Sequence, residues 1–277
     1  MHTAYVKHPV GGDEKYGDKE FNAYLRSIGL KRMFLHAFRI TFKNPKDGSI
    51  LKIEAPLPKE LEQALETFRK LKVKNKVALQ EELGLEKDPK KMMIGIVSRL
   101  TDQKGMDLVS YIMDEMLSQD DIQLVVLGTG EEQYENMFRH FDWKYHNKVS
   151  AQIYYSEEMS HRVYASCDAF LMPSLFEPCG LSQLMSLRYG TLPIVRETGG
   201  LRDTVQPYNE FAGTGTGFSF SNYNAHEMLA TIRYAKDTFY GKKREWNKMV
   251  DRAMMADFSW NVSARRYEDI YRYLLGY

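Results

Sequence analysis

Short apolar runs alternate with longer amphipathic stretches through residues 92–196. Parallel strands joined by right-handed helical crossovers produce this alternation, and the helices then cover both faces of the sheet. The pattern therefore predicts an α/β fold with a Rossmann-like parallel sheet. The predicted strands are MMIGIVSRL, IQLVVLG, VSAQIYY, AFLMP and TLPIV, and the predicted helices cover about 104–118, 131–141, 157–166 and 179–189.

The two ends of the chain have different patterns. Apolar runs within residues 34–55 flank the turn sequence NPKDG, which predicts a β-hairpin. A helical pattern follows Pro58 and continues to Gly84, a residue type that often ends helices. The tail at 224–277 is predicted to be helical, with apolar stripes that serve as packing surfaces: Met228, Ile232 and Ala235, and then Tyr267, Ile270 and Leu274.

The composition is that of an ordinary globular protein, with 277 residues of which 43% are apolar and 27% charged. The net charge is +1 overall, about +4 over residues 1–71 and about −3 over the remainder. A basic front segment permits contact with RNA, but a solvated basic surface explains the same charge. Charge alone therefore assigns no partner.

Cysteine usage and hydropathy predict a soluble, cytoplasmic protein. Cys167 and Cys179 are the only cysteines, too few for a disulfide framework and without metal-ligand spacing. No apolar run approaches the roughly 20 residues that a membrane helix needs. We expect no membrane contact and no metal.

The first candidate site lies in SRLTDQKG, where a predicted strand passes into a helix. Arg99 and Lys104 lie five residues apart across this turn, and Gly105 permits close approach of the backbone. Two fixed cations at this place would neutralise a diphosphate and stabilise it as a leaving group. The alternative is a solvated Arg and Lys in a surface loop.

Two features follow the next strands. Gly128 and Gly130, in the sequence GTG, could let a nucleotide lie against the backbone or could simply form a tight turn. Tyr155 is predicted to end the third strand at the same edge, where it either stacks on a nucleobase or covers the core.

The sequence FEPCGL supplies a carboxylate, Glu177, at the predicted start of a helix. The helix dipole favours an acid at such a position, so a structural role is one reading. In the functional reading Glu177 accepts hydrogen bonds from sugar hydroxyls, and Cys179, Gly180 and Leu181 complete the substrate-binding loop.

Thr198, Gly199 and Gly200 follow the strand TLPIV. Consecutive backbone amides without bulky side chains can form an anion-binding nest, although a plain glycine turn is the alternative. Ligands bind at the carboxyl ends of strands in parallel sheets, and all of these loops fall at that edge.

Four segments carry a specific resemblance: SRLTDQKG, YSEEMSHRVYASCDAFLMPSLFEPCGLSQL, YGTLPIVRETGGLRDTV and FSWNVSARRYEDIY. From about residue 73 to 277 the chain resembles the C-terminal domain of bacterial glycogen and starch synthases. The resemblance implies one half of a GT-B glycosyltransferase fold. It also implies that ADP-glucose, or UDP-glucose as in some relatives, donates glucose with retention to an α-1,4-glucan, without a metal.

The resemblance assigns a role to each candidate residue. Arg99 and Lys104 become the diphosphate-binding cations, and Glu177 becomes the carboxylate that holds the donor sugar. Tyr155 becomes a neighbour of the adenine. Some related enzymes have a second Glu where this chain has Met185, a difference that starch-synthase-like members tolerate. The amides expected to cradle phosphate are those of Thr198, Gly199 and Gly200.

The front segment resembles another family. HTAYVKHPVGGDEKYGDKEFNAYL, RMFLHAFRITFKNP and ILKIEAPLP resemble the end of ribosomal large-subunit pseudouridine synthases, without the Arg-Leu-Asp motif that carries their catalytic aspartate. The implied domains are 1–71, a pseudouridine-synthase-like α+β fragment, and 72–277, a donor-nucleotide-binding domain. The N-terminal half of a glycogen synthase, with its KTGGL-type loop and glucan contacts, has no counterpart before residue 73.

Four functional hypotheses follow. The first is a hexosyltransferase domain that binds ADP-glucose and needs a complementary domain before it can use a glucan acceptor. The second is an RNA-modifying protein, which the missing aspartate disfavours, so RNA is not an expected partner. The third is a noncatalytic nucleotide binder or carbohydrate-associated scaffold, and the fourth is a fused chain without catalysis.

Overall fold

The computed structural model divides the chain into two units, Met1–Val73 and Lys74–Tyr277. It describes residues 18–31, 39–43, 49–55 and 58–276. The predicted hairpin turn at 44–48 and much of residues 1–71, the predicted pseudouridine-synthase-like fragment, lie outside the described residues.

The first unit contains a helix, a hairpin and the start of a longer helix. Helix α1 (Lys19–Ser27) begins after Asp18, whose carboxylate accepts a hydrogen bond from the Phe21 amide at 2.7 Å. Strands β1 (Arg39–Lys43) and β2 (Ile50–Glu54) pair antiparallel, which confirms the predicted hairpin strands. Helix α2 (Lys59–Glu82) begins in this unit and ends in the second.

The second unit is built on a six-stranded parallel sheet, as the alternating pattern predicts. The strand order is β5-β4-β3-β6-β7-β8, so the direction in which strands are added reverses between β3 and β6. This is the doubly wound order of a Rossmann-like sheet. The strands are β3 (Met92–Val97), β4 (Ile122–Leu127), β5 (Val149–Gln152), β6 (Ala169–Met172), β7 (Leu192–Arg196) and β8 (Phe218–Phe220).

Helices cover both faces of this sheet. One face carries the main core, where Ile94 and Ile96 of β3 are fully buried with residues of the helices that follow β3 and β8. On the other face, Gly95 allows a helix to approach closely, because a Cβ at Gly95 would lie 2.7 Å from Val163. The helices are α3 (Met106–Gln119), α4 (Glu132–Lys144), α5 (Glu157–Ser166), α6 (Ser182–Arg188), α7 (Gly199–Thr204), α8 (Ala225–Gly241), α9 (Lys243–Met255) and α10 (Trp260–Leu275).

One strand was not predicted, and two local predictions were wrong. The sequence analysis missed β8, because its three residues FSF are too short for an alternating pattern to be visible. The helix predicted over 179–189 begins only at Ser182, because Gly180 has a left-handed φ of 72° and the chain is not yet helical there. Glu177 therefore lies in a loop and not at a helix start.

The predicted packing stripes of the tail differ from each other. Met228, Ile232 and Ala235 of α8 are buried as predicted. Tyr267, Ile270 and Leu274 of α10 are more than half exposed, so none of the described residues covers this stripe and its role as a packing surface stays a prediction. Helical spacing predicts an apolar stripe but does not say what covers it.

A buried ion pair lies at the amino ends of β3 and β6. The Lys76 ammonium is 2.5 Å from the carboxylate of Asp168, the residue just before β6. The ammonium also donates to the Lys91 carbonyl at 3.0 Å, and the carboxylate accepts from the Met93 amide at 2.8 Å. Both charges are thus neutralised and hydrogen-bonded inside the protein, as buried charges require.

Candidate functional site

The carboxyl ends of β3 and β6 face the crevice at which the strand order reverses. In open α/β sheets this is the place where ligands bind. The loop after β3 runs to Gly105, and the loop after β6 runs to Leu181, so the two loops that carry the predicted charges meet here.

Lys104 and Glu177 form an ion pair in this crevice, although 73 residues separate them in the chain. Lys104 Nζ lies 2.5 Å from Glu177 Oε2, and the side chains are 18% and 9% exposed. Ser174 Oγ donates to the same carboxylate oxygen at 3.3 Å. The structure thus brings together two of the three residues predicted to act in catalysis.

Gly105 brings the two loops close enough for this pair to form. Its φ is 77°, a left-handed conformation that favours glycine. A Cβ at this position would lie 2.2 Å from the Pro173 carbonyl oxygen in the loop after β6. Any larger residue would push the two loops apart.

Arg99, the third predicted catalytic residue, is in the same loop but does not join the pair. Its guanidinium is exposed and donates to Gln103 Oε1 at 3.3 Å. Among the described residues no carboxylate pairs with it. The guanidinium therefore remains a free positive charge at the edge of the crevice.

The glycines of the third predicted turn pack against the loop that carries Glu177. A Cβ at Gly199 would lie 2.2 Å from the Glu177 carbonyl oxygen, and one at Gly200 would lie 2.0 Å from the Cys179 carbonyl oxygen. Because only glycine fits at both positions, α7 begins directly on this loop.

Two of the three amides of the same turn donate within the protein, and the phosphate cradle at Thr198, Gly199 and Gly200 stays a prediction. The Gly200 amide donates to the Glu177 carbonyl at 3.1 Å, and the Thr198 amide donates to the Arg196 carbonyl at 2.9 Å. Within the described residues only the Gly199 amide of the three has no hydrogen-bond acceptor.

The GTG turn after β4 has a similar structural use. A Cβ at Gly128 would lie 1.8 Å from the Ser98 carbonyl oxygen, and one at Gly130 would lie 2.2 Å from that of Leu100. The two glycines therefore let this turn rest on the loop that leads to Lys104. The tight turn is thus present, and contact of this turn with a nucleotide stays a prediction.

Tyr155 and the residues after Glu177 are exposed. Tyr155 is 86% exposed in the loop before α5, beyond the end of β5, so it neither ends the strand nor covers the core. Leu181 is also exposed. Cys179 and Gly180 are held by Gln183, whose side-chain amide donates to their carbonyls at 2.9 and 3.0 Å.

No group of three or more His, Cys, Asp or Glu side chains in the described part of the chain is arranged to hold a metal ion. Among those same residues, no helix has the length and apolar character needed to cross a membrane.

A family model described as Glycosyl transferases group 1 matches residues 80–248. The chain belongs to this family. The match spans the sheet from β3 to β8, including both loops of the crevice. The fold of this group 1 glycosyltransferase domain is therefore the predicted Rossmann-like half of a GT-B enzyme.

Curated relatives of this group 1 glycosyltransferase are glycogen synthases. Those of Lachnospira eligens and Lachnoclostridium phytofermentans are 74% and 66% identical, over 75% of this chain and 43% of their own length in both cases. That of Clostridium acetobutylicum is 55% identical over 74% of this chain and 43% of its own length. The chain thus spans less than half the length of the curated relatives it matches.

Solved structures agree with the fold. The catalytic domain of starch synthase IV from Arabidopsis thaliana, bound to ADP and acarbose, matches with a TM-score of 0.65 and 32% identity. The match covers 74% of this chain and 43% of that chain. Sucrose-phosphate synthase from Thermosynechococcus elongatus matches with a TM-score of 0.51 and 22% identity over 74% and 51% of the two chains, which is a likeness of fold.

The sequence analysis of this glycosyltransferase domain missed two tyrosines that hold the Lys104 loop. The Tyr134 hydroxyl donates to the Asp102 carboxylate, and the Tyr223 hydroxyl donates to the Asp107 carboxylate. Burial, and after it the hydrogen bond to Asp102, raises the pKa of Tyr134, so that its hydroxyl stays protonated. Neither tyrosine lies in a motif, so only the folded chain reveals them.

Ser174 and Gln183 were also missed. Both lie close in sequence to Glu177, and the short polar side chain of Ser174 between Pro173 and Leu175 was the available signal. Their contacts with Glu177 and with the 179–180 backbone become visible only in the structure.

Proposed function

We propose that this chain binds ADP-glucose in the crevice between β3 and β6, as the donor half of a glycogen or starch synthase. The reaction would transfer glucose with retention to the nonreducing end of an α-1,4-glucan. The observation that carries the proposal is the Lys104–Glu177 pair, a cation and an acceptor 2.5 Å apart at the ligand edge of the sheet.

Lys104 and Arg99 supply the charge that the leaving group needs. As the bond to the sugar breaks, negative charge grows on the diphosphate, and positioned cations in a partly dry crevice stabilise it. The exposed Arg99 guanidinium is free to turn toward a phosphate, since it pairs with no carboxylate in the described part of the chain.

Glu177 has one oxygen available for the sugar. Both of its side-chain hydrogen bonds among the described residues, from Lys104 and Ser174, go to Oε2. Oε1 can then accept from a glucose hydroxyl, and charged acceptors form the stronger hydrogen bonds. The residue would thus hold the sugar while Lys104 holds the diphosphate.

Similar proteins support the proposed binding of a nucleotide-sugar donor, and catalytic turnover is likewise a proposal. The starch synthase IV structure holds ADP and acarbose, and the curated relatives named above are glycogen synthases. Because the chain covers 43% of those relatives, we propose that the glucan acceptor binds only when a complementary domain is present.

Titration calorimetry tests the donor site. We expect ADP and ADP-glucose to bind with at least millimolar affinity. Lys104→Ala should lower both affinities by about tenfold or more, because a charged hydrogen bond contributes about 1.5–3 kcal/mol. UDP-glucose, titrated in parallel, reports the choice of nucleotide. A matched control is Lys87→Ala, which removes an exposed cation paired with Glu81 and far from this loop in the chain.

Absence of saturation by ADP and ADP-glucose at millimolar concentration would reject the donor site. Incorporation of labelled glucose into glycogen should be negligible for the chain alone, and robust incorporation would show that no complementary domain is needed. Titrations in EDTA test the proposal that donor binding needs no metal.

A cytoplasmic location and the origin of the front segment remain predictions. Cys167 and Cys179 are both free, which suits a reducing compartment. The family match covers residues 80–248 and does not reach the segment that resembles a pseudouridine synthase. We expect no pseudouridine formation on ribosomal RNA, which an assay of the full chain would test.

A further inference from the structure

Arg196, the last residue of β7, holds the backbone of the loop that carries Glu177. Its Nε donates to the Ser174 carbonyl at 2.9 Å, and its Nη2 donates to the Leu175 carbonyl at 2.5 Å. A third, longer contact of 3.5 Å joins Nη1 to the Ser221 carbonyl. One guanidinium thus donates to two consecutive carbonyls, three and two residues before Glu177.

The same segment is held from its other side by the loop of Lys104. The Leu175 amide donates to the Gln103 carbonyl at 3.0 Å. Arg196 also lies 5.6 Å from the centre of the Tyr223 ring. The Tyr223 hydroxyl, which donates to Asp107, also lies 3.2 Å from the Asp102 carbonyl oxygen. These contacts link the end of β7, the loop that carries Glu177 and the loop that carries Lys104.

We propose that Arg196 is a positioning residue for Glu177. It touches no reacting atom in this arrangement; it fixes the Ser174 and Leu175 backbone, and Ser174 Oγ in turn contacts Glu177 Oε2 at 3.3 Å. Among the described residues no carboxylate pairs with Arg196, so its charge is directed at these carbonyls. The inference rests on the proposed function, since it names what orients the sugar-binding carboxylate.

The geometry requires arginine and not merely a positive charge. The guanidinium presents several N–H groups in a fixed plane, whereas a lysine ammonium is a single point at the end of a flexible chain. Lysine cannot span two carbonyls in this way. Arg196→Lys therefore keeps the positive charge and removes the paired hydrogen bonds to the Ser174 and Leu175 carbonyls.

The expected effect is selective. In the proposed complex Glu177 faces the sugar and Lys104 faces the diphosphate. A less ordered Glu177 loop should therefore lower the affinity for ADP-glucose more than the affinity for ADP. For Arg196→Lys we expect the affinity for ADP-glucose to fall about tenfold and that for ADP to fall less than about threefold, the scale of one charged hydrogen bond. A residue that only stabilised the fold would change both affinities equally.

The test is calorimetry of the full chain with ADP and with ADP-glucose, and thermal unfolding confirms that each variant is folded. The variants are Arg196→Lys, Ser174→Ala, Glu177→Ala and the double variant Arg196→Lys with Glu177→Ala. Arg272→Lys, in the exposed pair with Glu268, is the matched control. Since Arg196 acts through Glu177, Arg196→Lys should not change the ratio of the two affinities once Glu177 is alanine.

Ser174→Ala keeps both carbonyls and removes only the hydroxyl, so it gives a second measurement if Arg196→Lys does not fold. It should shift the ratio in the same direction by about twofold to threefold, because the hydrogen bond that it removes is long, at 3.3 Å. Equal weakening of both ligands, or additive effects in the double variant, would overturn the inference while leaving the proposed function intact. If the unsubstituted chain binds neither ADP nor ADP-glucose, both the inference and the proposed function are rejected.

Discussion

Two lysine–carboxylate pairs lie at opposite ends of the same two strands. Lys76 and Asp168 pair at the amino ends of β3 and β6, and Lys104 and Glu177 pair beyond their carboxyl ends, both at 2.5 Å. The first lysine side chain is 3% exposed and the second is 18% exposed. A charge pair is thus found at each edge, but the two surroundings differ.

The difference lies in what else satisfies the charges. The Lys76 ammonium also donates to two backbone carbonyls, and Asp168 also accepts from the Met93 amide, so the pair is closed by backbone groups that begin the sheet. Lys104 and Glu177 have only the Ser174 hydroxyl besides each other among the described residues, and they border the crevice. A pair closed by backbone serves folding, whereas an under-satisfied pair at the ligand edge can exchange partners with a substrate.

The largest effect should come from breaking the closed pair. Lys76→Met leaves the Asp168 carboxylate buried without its counter-charge, which costs about 3–5 kcal/mol of unfolding free energy. Urea unfolding followed by circular dichroism measures the loss. The double variant Lys76→Met with Asp168→Asn should recover part of it, and an unchanged midpoint for Lys76→Met would contradict the structural role.

Gly105→Ala should have an intermediate effect on folding and a strong one on ligand binding. The left-handed φ and the contact with the Pro173 carbonyl would cost about 2 kcal/mol and separate Lys104 from Glu177. ADP affinity should therefore fall together with the melting temperature. Gly241→Ala is the control, since its Cβ meets nothing within 4 Å; an equal loss in both variants would contradict the close approach.

Lys104→Met should have the smallest effect on stability. Glu177 is about as buried as Asp168, but Lys104 is more exposed than Lys76 and the remaining carboxylate keeps the Ser174 hydrogen bond. The unfolding free energy should therefore fall by about 1–2 kcal/mol, less than for Lys76→Met. Urea unfolding compares this variant directly with Lys76→Met. A loss as large as that of Lys76→Met would show that both pairs serve folding and would remove the contrast.

The sequence alone predicts the strands and the edge at which Lys104 and Glu177 lie, but not their contact. The alternation of apolar runs predicts the five strands β3 to β7, and the position of each loop after its strand places Lys104 and Glu177 at one edge. It does not predict that their side chains meet, because this depends on how closely Gly105 approaches Pro173 in a distant loop. Nor does a local pattern show that the amides of Thr198 and Gly200 donate to carbonyls of the folded chain.

The sequence by itself determined the elements and the edge of the sheet at which chemistry is possible, because strand and helix periodicity and the rule of strand ends are local or topological. Only the tertiary structure decided which groups remain available there. It placed Arg196 on the carbonyls of Ser174 and Leu175 and left Arg99 and Tyr155 exposed. Those outcomes depend on how closely segments remote in the chain pack, where differences of about a few tenths of an ångström matter. No local pattern encodes such differences.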